Sequence, residues 1–355
     1  MADTAPTLRR PPAPGGSRSR FGAVLFALGA VLAVAMVIGV SVGTVNLPVS
    51  QVWAVVGRHL GLVAGTADPI DDQIIWTFRT PRVLLAAVVG AGLSVAGVCL
   101  QSLARNGLAD PYVLGVSSGA SLGAVLAVAL GVPVLADLGV TGAAFAAASL
   151  TLLVVMVLAQ QAGQLGSARL VLAGVAVSYL ATAGTSFVQL YVNPLELRGI
   201  MFWLMGSLAS SSWGDLGLPT AAIVLSGAWL LGRARSLNVL ATGDDNASAL
   251  GVPVNRFRLE LVVVSSLLTA STVAVAGGIG FVGLMVPHAA RFVVGPDHRR
   301  VLPVSVLGGA VFLVVVDILC RVADRPNELP VGVFTAAFGA PFFLVLLRRA
   351  GRGLG

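Results

Sequence analysis

The segment Phe21–Val42 reads FGAVLFALGAVLAVAMVIGVSV and runs for 22 residues without a charged side chain. About 20 such residues in an α-helix cross the hydrocarbon core of a bilayer, which is about 30 Å thick. Similar segments recur along all 355 residues, and only 10% of the residues are charged, against about 25% in soluble domains. Because β-barrel strands alternate in polarity and these segments do not, the sequence predicts an all-α integral membrane protein.

Hydropathy predicts ten transmembrane helices in a single domain, residues 21–350, and an interfacial or re-entrant helix at Leu195–Leu208. Residues 1–20 are rich in Pro and Arg, and we expect them to form a disordered leader. The segment 21–42 is too long for the apolar part of a signal peptide, so we interpret it as a retained span. The predicted spans are 21–42, 80–104, 113–132, 138–161, 170–192, 214–232, 258–276, 279–294, 301–320 and 331–347.

The basic residues predict the orientation of these spans. All 22 are Arg, and with the N-terminus inside, sixteen lie inside and six outside, as the positive-inside rule requires. We therefore expect both termini in the cytoplasm. The six outside are Arg58, Arg79, Arg82, Arg198, Arg321 and Arg325.

The composition also excludes several functions. A Walker A loop needs a Lys, and this sequence has none, so the chain has no standard ATP site and no Schiff-base chemistry. Two Cys in apolar runs predict neither a disulfide framework nor a metal site. The net charge of +7 reflects membrane orientation, and we expect no binding of nucleic acid.

Two motifs typical of soluble enzymes are interpreted as coincidences. Gly278–Gly283 fits a dinucleotide fingerprint but has no βαβ context, and Gly115–Gly119 fits a nucleophile elbow without a suitable His and acid. Gly115, Gly119 and Gly123 are four residues apart, which favours a smooth ridge for close helix packing.

The longest hydrophilic inner loop is Arg233–Arg258, and it holds two short helical stretches. Asp244 or Asp245 can cap the second helix, and Gly251 can end it in the left-handed conformation. Ala247 and Leu250 are predicted to share a small apolar face. Such a helix suits docking into a groove of a partner protein, which we favour over the alternative of a mere connector.

A row of polar residues follows one face of the fifth span: Ser178, Thr182, Thr185, Ser186 and Gln189. Ser and Thr often bond only to their own helix backbone, but the Gln amide cannot be satisfied so locally. The row therefore indicates a wet path. It contains no carboxylate, which argues against a proton or sodium relay.

Three Arg near the outer ends of spans are candidates for contact with an acidic partner. Arg79 and Arg82 flank Pro81, and Arg321 follows Asp317 by four residues. Acid before base at this spacing is the favoured order on a helix, so the last pair could also simply neutralise itself.

The chain resembles the FecCD/BtuC-type permease subunits of bacterial ABC importers for ferric siderophores, haem and cobalamin. The resemblance runs from about Arg79 to Arg348. Its motifs are RTPR at 79–82, QSLARNGLADPYVLGVSSG at 101–119, LVLAG at 170–174, WLMGS at 203–207, LNVL at 237–240, GIGFVGLMVPHAAR at 278–291, DHR at 297–299, ELPVG at 328–332 and GAPF at 339–342.

This resemblance implies a BtuC-like type II ABC importer fold in a bacterial cytoplasmic membrane. It also implies a dimer of permeases, identical or homologous, with the path partly lined by the fifth span. It implies two ATPase subunits, which hold ATP and Mg, so that this chain is not an enzyme and carries no cofactor. It also implies an external binding protein at Arg79, Arg82 and Arg321. The implied ATPase-coupling residues are Leu237, Asn238, Asp244, Ala247, Leu250 and Gly251, and the implied gate is Gly166, Ser167 and Ala168.

Alternatives from other classes are less consistent with the residues. An ion-driven secondary transporter predicts carboxylates in mid-span and inverted repeats, and a membrane enzyme needs a clustered His/Asp/Glu site. The sequence shows neither pattern. For the cargo we expect a ferric siderophore, with haem or cobalamin as alternatives.

Overall fold

The computed structural model describes residues 15–43, 45–64, 68–130, 133–161, 164–165 and 167–351. The chain folds almost entirely as helices, with one two-residue antiparallel ladder between Gln160–Gln161 (β1) and Gln164–Leu165 (β2). The α-helices are α1 Gly15–Ser41, α2 Val49–His59, α3 Pro69–Asp72, α4 Thr80–Ala104, α5 Val116–Leu130, α6 Pro133–Ala159, α7 Ser167–Gln189, α8 Pro194–Leu204, α9 Gly217–Gly232, α10 Ala234–Leu240, α11 Asp244–Ala249, α12 Val254–Ala276, α13 Val282–Val294, α14 His298–Val322 and α15 Val331–Gly351.

Ten of these helices match the ten predicted spans. Among the described residues, seven helical segments are long and apolar enough to cross a membrane, and three shorter apolar helices, α5, α13 and α15, coincide with the remaining predictions. The predicted all-α membrane fold is confirmed. The predicted interfacial helix at 195–208 is α8, at Pro194–Leu204. Helix α1 begins at Gly15, earlier than expected, and residues 1–14 of the predicted leader lie outside the described residues.

Helix α4 forms the centre of the bundle and is buried along most of its length. At Gly90 it crosses α14 at Gly309, where a Cβ added to either glycine would meet the carbonyl oxygen of the other at 2.1 or 2.2 Å. About two turns further along α4, a Cβ on Gly97 would lie 1.9 Å from the carbonyl oxygen of Gly283 in α13. These contacts bring backbone against backbone, as small residues allow in membrane helices.

Gly119 and Gly123 serve close helix packing, as interpreted, but Gly115 is not part of the predicted helical ridge, because it precedes α5 in the left-handed conformation with φ +78°. A Cβ on Gly119 or Gly123 of α5 would collide with Thr151 or with Ala143 and Ala147 of α6. Residues 278–281 form a loop that leads into α13, which begins at Val282. The loop continues from Ala276, whose carbonyl accepts a hydrogen bond from Ser207 N–H at 2.9 Å. A strand–turn–helix context for a dinucleotide is therefore absent from these described residues.

The sequence analysis missed the helical hairpin between the first two spans. Helix α2 buries Val52, Val55 and Val56 on one face, and its Trp53 indole donates to Ser41 Oγ at 3.2 Å. A one-turn α3 and a π-helical stretch, Gln73–Arg79, then lead into α4. The i, i+3, i+4 spacing of the three Val is the signal that identifies α2 as amphipathic, although the helix is too short to span.

We predict that Gly309→Ala lowers the free energy of unfolding by about 1–3 kcal/mol or more, because the new methyl group has no space between α14 and α4. Gly227→Ala in α9 is the matched control, since nothing lies within 4 Å of its Cβ position. Thermal unfolding in detergent measures both. Equal melting temperatures for the two variants would contradict this description of the α4–α14 contact.

Candidate functional site

Two faces of the bundle carry the candidate residues. The termini face is the end where α1 begins, and it includes α10, α11 and the α13–α14 turn. The distal face is the end where α1 finishes, and it includes α2 and the N-terminal end of α4.

On the termini face, the loop 233–258 folds into α10 and α11, as predicted. Gly251 has φ +80° and ends α11. Its N–H bonds to Ser248 O at 3.0 Å, and Val252 N–H bonds to Ala247 O at 2.9 Å. This is the Schellman pattern, which satisfies carbonyls at a helix C-terminus, so the expectation for Gly251 is confirmed.

The prediction that Asp244 or Asp245 caps α11 is wrong. Gly243, with φ +114°, occupies the N-cap position, and no side chain caps the helix. The Asp244 carboxylate instead accepts two hydrogen bonds from Arg258 at 2.8 and 3.0 Å, and Arg105 lies 3.6 Å away. Asp244 therefore fixes the start of α11 to α12 and lies beside the residue that follows α4.

The expected shared apolar face of Ala247 and Leu250 is also wrong. Ala247 is fully buried against the rest of the chain, whereas Leu250 is 67% exposed. Leu250 is the C-cap residue, where the backbone leaves the helix, and its side chain therefore points away from the buried face. The docking role of both residues remains a prediction, but only Leu250 is available to a partner in this structure.

Helix α10 is held by an apolar contact and by a polar network. Leu237 is buried with Leu240 and Phe257. Asn238 donates to Asp297 Oδ1 at 2.7 Å and accepts from the backbone N–H of His298 at 2.9 Å. The sequence analysis did not find this network, because residues 238 and 297 are nearly sixty positions apart.

Asp297 lies just before α14 and caps it by accepting from the Arg299 N–H at 3.1 Å. Burial raises the pKa of Asp297, but the hydrogen bonds from Asn238 and Arg299 N–H and the charges of Arg299 and Arg300 outweigh it. The pKa of this carboxyl group therefore lies below its usual value. Ionised, it is a strong acceptor for the Asn238 amide.

On the distal face, the three candidate docking Arg are buried. Arg82 bonds to Asp317 at 2.8 Å and to Glu328 at 2.8 Å, and Arg321 pairs with Asp317 at 2.8 Å. The sequence predicted the Asp317–Arg321 pair. It gave no sign of Arg82, which comes from 235 positions away.

Arg79 and Arg321 also hold the C-terminal end of α1. Arg321 donates to the carbonyl oxygens of Gly39 and Val42, each at 2.7 Å, and Arg79 donates to those of Ser41 at 3.1 Å and Val45. The last carbonyls of a helix have no partner within it and carry its partial negative charge. These two cations satisfy both requirements.

The buried Arg still reach an open space. A cavity of about 240 Å³ on the distal face is lined by all three of them together with Glu328, Phe78, Ile74, Gly43, Val45 and Ala209. Three cations face one carboxylate across this cavity, since Asp317 lies behind it. The predicted docking role is untested, but this cationic cavity fits an acidic group better than a basic one.

The polar row on α7 divides into two sets. Ser178 and Thr185 donate to their own helix, at Gly174 O and Ala181 O, whereas Thr182 and Ser186 are exposed. Gln189 is half-buried. Of the predicted gate, Gly166 lies outside the described residues. Ser167 and Ala168 begin α7, and their side chains are not among those described.

Exposed hydrophobic side chains surround Thr182 and Ser186. Tyr179, Leu180, Phe187, Leu190 and Tyr191 are 61% to 78% exposed. Within the described residues, no group of three or more His, Cys, Asp and Glu is arranged to hold a metal ion.

Comparison with known proteins gives the class of this fold. Residues 31–349 match the family described as the FecCD transport family. The cobalamin import system permease BtuC of Halobacterium salinarum is 49% identical over 276 residues, or 78% of this chain and 73% of that protein. The uncharacterized ABC transporter permease YvrB of Bacillus subtilis is 41% identical over 334 residues, or 91% and 92%.

Two further comparisons are with a haem permease and with a solved structure of the same fold. The hemin permease HmuU of Yersinia pestis is 40% identical over 278 residues, or 78% of this chain and 83% of that protein. A solved structure described as an inward-facing conformation of a putative metal-chelate type ABC transporter superposes with a TM-score of 0.80 at 33% identity. It covers 92% of this chain and 99% of that one.

The chain therefore belongs to the FecCD transport family, and the resemblance inferred from its motifs is confirmed. It is a multi-pass membrane permease subunit of an ABC importer and not an enzyme. Membership of this family implies ATPase and permease partner subunits.

We predict that Arg82→Ala destabilises the permease by about 3–5 kcal/mol, because it leaves the buried Asp317 with one cation instead of two. Arg325→Ala is the control, since Arg325 is exposed on the same face. Thermal unfolding in detergent compares the two. If Arg82→Ala is no less stable than Arg325→Ala, the ion cluster does not support the fold.

Proposed function

We propose that this chain forms the path of an ABC importer that carries a metal chelate into the cytoplasm, with ATP and Mg bound by separate ATPase subunits. The observation that carries the proposal is the exposure of Leu250 at the end of α11, a short helix held in place by the buried Ala247 and by the Asp244–Arg258 ion pair. A side chain this exposed at the end of a rigid loop suits a partner groove. The ATPase subunits would seat on α11, around Asp244, Ala247, Leu250 and Gly251.

In this proposal the termini face lies in the cytoplasm of a cell whose cytoplasmic membrane holds the permease. The distribution of Arg supports this orientation, since sixteen of 22 belong to the cytoplasmic group. The distal face is then external. Its cavity would receive an acidic group of a binding protein, with Arg79, Arg82 and Arg321 supplying the attraction.

A second permease subunit would cover the exposed face of α7. Exposed hydroxyls at Thr182 and Ser186 are poorly matched to lipid, whereas they suit a water-containing path between two subunits. The large apolar side chains beside them supply area for a dimer contact. The turn at 166–168 would gate the cytoplasmic end of this path.

Transport would proceed by alternating access. Nucleotide can drive it only through a difference in affinity between two states of the complex. Closure of the ATPase subunits would move α11, and the bundle would then change the side to which the path opens.

For the cargo we propose cobalamin. Between residues 170 and 189 the exposed face of α7 offers hydroxyls and aromatic rings but no charge, and Arg169 in the first turn is the one charged residue of the helix. A corrinoid rimmed by neutral amides brings a single phosphate to such a lining, whereas the two haem propionates and the carboxylates of anionic siderophores would need more cations than this helix offers. The relative that imports cobalamin is 49% identical. Haem, named for a relative at 40% identity, and ferric siderophores are the alternatives.

The first experiment tests ATPase docking. We predict that the purified chain hydrolyses no ATP alone, binds its cognate ATPase subunit and loses that binding about tenfold or more in Leu250→Asp, because a charge would be buried in an apolar groove. Leu195→Asp on the distal side is the matched control, with the same change at an exposed Leu. ATP hydrolysis by the clean chain, or unchanged binding by Leu250→Asp, would refute this docking surface.

The second experiment identifies the cargo. The complex, reconstituted in vesicles with its own binding protein and ATP inside, is offered cyanocobalamin, hemin or a ferric hydroxamate. We predict uptake of cyanocobalamin above the other two. Uptake of hemin or the hydroxamate alone would refute cobalamin as the cargo but not the ATP-driven import. Uptake that needs an ion gradient and no ATP would refute the ATP-driven import.

A further inference from the structure

The termini face contains a chain of hydrogen bonds that connects α10 to α4. It starts at Asn238, whose amide orientation is fixed, because Nδ2 donates to Asp297 while Oδ1 accepts from His298 N–H. The Nδ1 atom of His298 lies 2.7 Å from the same Oδ1, so this nitrogen carries the proton. Its Nε2 atom is then the acceptor and lies 2.8 Å from Ser102 Oγ in the last turn of α4, whose single proton is shared between this nitrogen and Val98 O at 2.7 Å.

A second link reaches the same turn from α11. Asp244, the first residue of α11, is bonded to Arg258 and lies 3.6 Å from Arg105, the residue that ends α4 in the left-handed conformation. Both short helices of the loop are therefore joined to α4 within one turn. From Ser102, α4 runs about 30 Å to Arg82 in the ion cluster of the distal face.

The two links differ in burial. The Arg105 and Asp244 side chains are more than a third exposed, and an exposed ion pair is worth little. Ser102 and His298 are buried, and the ionised Asp297 makes the bond from Asn238 the charge-assisted one. The rigid connection is the one through Asn238.

We propose that Asn238 is a positioning residue: it joins the ATPase-docking loop to the last turn of α4, so that movement of α11 reaches the centre of the bundle. The inference rests on the proposed docking of an ATPase on this loop. It adds the residues by which the movement passes on, and these touch neither nucleotide nor cargo.

The test exchanges the two polar groups. Asn238→Asp sets a second carboxylate against Asp297 and breaks the link. In the double variant Asn238→Asp with Asp297→Asn, the side chain of the new Asn turns so that its Nδ2 donates to the new Asp, which still accepts from His298, while its Oδ1 faces the Arg299 N–H and caps α14. Asn193→Asp is the control, because Asp can keep the cap that Asn193 Oδ1 provides to α8.

The readout needs no cargo. Permease–ATPase complexes in lipid nanodiscs are compared with and without ATP and vanadate, and amide hydrogen exchange is followed in residues 100–105. We expect a nucleotide-dependent change in the wild type and in Asn193→Asp, a change reduced by roughly tenfold in Asn238→Asp and in Ser102→Ala, and recovery in the double variant.

The possible results distinguish a failure of the proposed function from a failure of the role of Asn238. A wild-type chain that binds no ATPase overturns the proposed function. A complex that forms and hydrolyses ATP but shows no nucleotide-dependent change in residues 100–105, or shows the full change in Asn238→Asp, overturns the role of Asn238. Failure of the double variant to recover, with a melting temperature equal to that of the wild type, overturns it as well.

Discussion

The contact between α4 and α14 at Gly90 and Gly309 determines the spacing on which the rest of the bundle depends. Backbone meets backbone there, and a second contact of the same kind, Gly97 against Gly283, sets the position of α13. Because lipid offers no hydrophobic driving force between helices, such close packing supplies much of their attraction. With α4 held at this distance, its first turn reaches Asp317 and its last turn reaches His298.

The two ends of α4 illustrate the same principle with different chemistry. At the distal end, buried charges are neutralised by pairing, since Asp317 lies between Arg82 and Arg321. At the termini end, the Asn238 amide donates to an ionised carboxylate and accepts from the His298 imidazole, which in turn contacts Ser102, so that three helices are linked. Buried polar groups of this kind are tolerated only when each finds a partner, so both clusters specify one arrangement of the helices.

The fold could be predicted from local properties of the sequence. Runs of apolar residues predict spans one at a time, and the ten predicted segments match helices because the bilayer imposes one length on all of them. Gly251 was predictable for the same reason, since a helix end is a local event. Helix α2 was not predicted, because it is too short for a span and its amphipathic pattern covers only eleven residues.

The sites were predicted less well, because they depend on contacts between distant parts of the chain. Spacing indicated that Asp317 and Arg321 pair, but not that Arg82 joins them. A local view placed Ala247 on the surface, whereas the fold buries it. The polar row on α7 likewise divides only once α5 is seen to pack against it, which leaves Thr182 and Ser186 exposed. The sequence therefore identified candidate residues, but it could not show which distant parts of the chain bury or contact them.

The way α1 is completed bears on how the chain matures in the membrane. The carbonyl groups at its end accept hydrogen bonds from Arg79 and from Arg321. Arg321 lies 282 positions further along the chain than Gly39. During synthesis the first helix therefore enters the bilayer long before its last partner has left the ribosome. In a chain cut short ahead of the ninth span, the carbonyl groups of Gly39 and Val42 would lack the Arg321 guanidinium, so the first helix to enter the membrane is among the last to be completed.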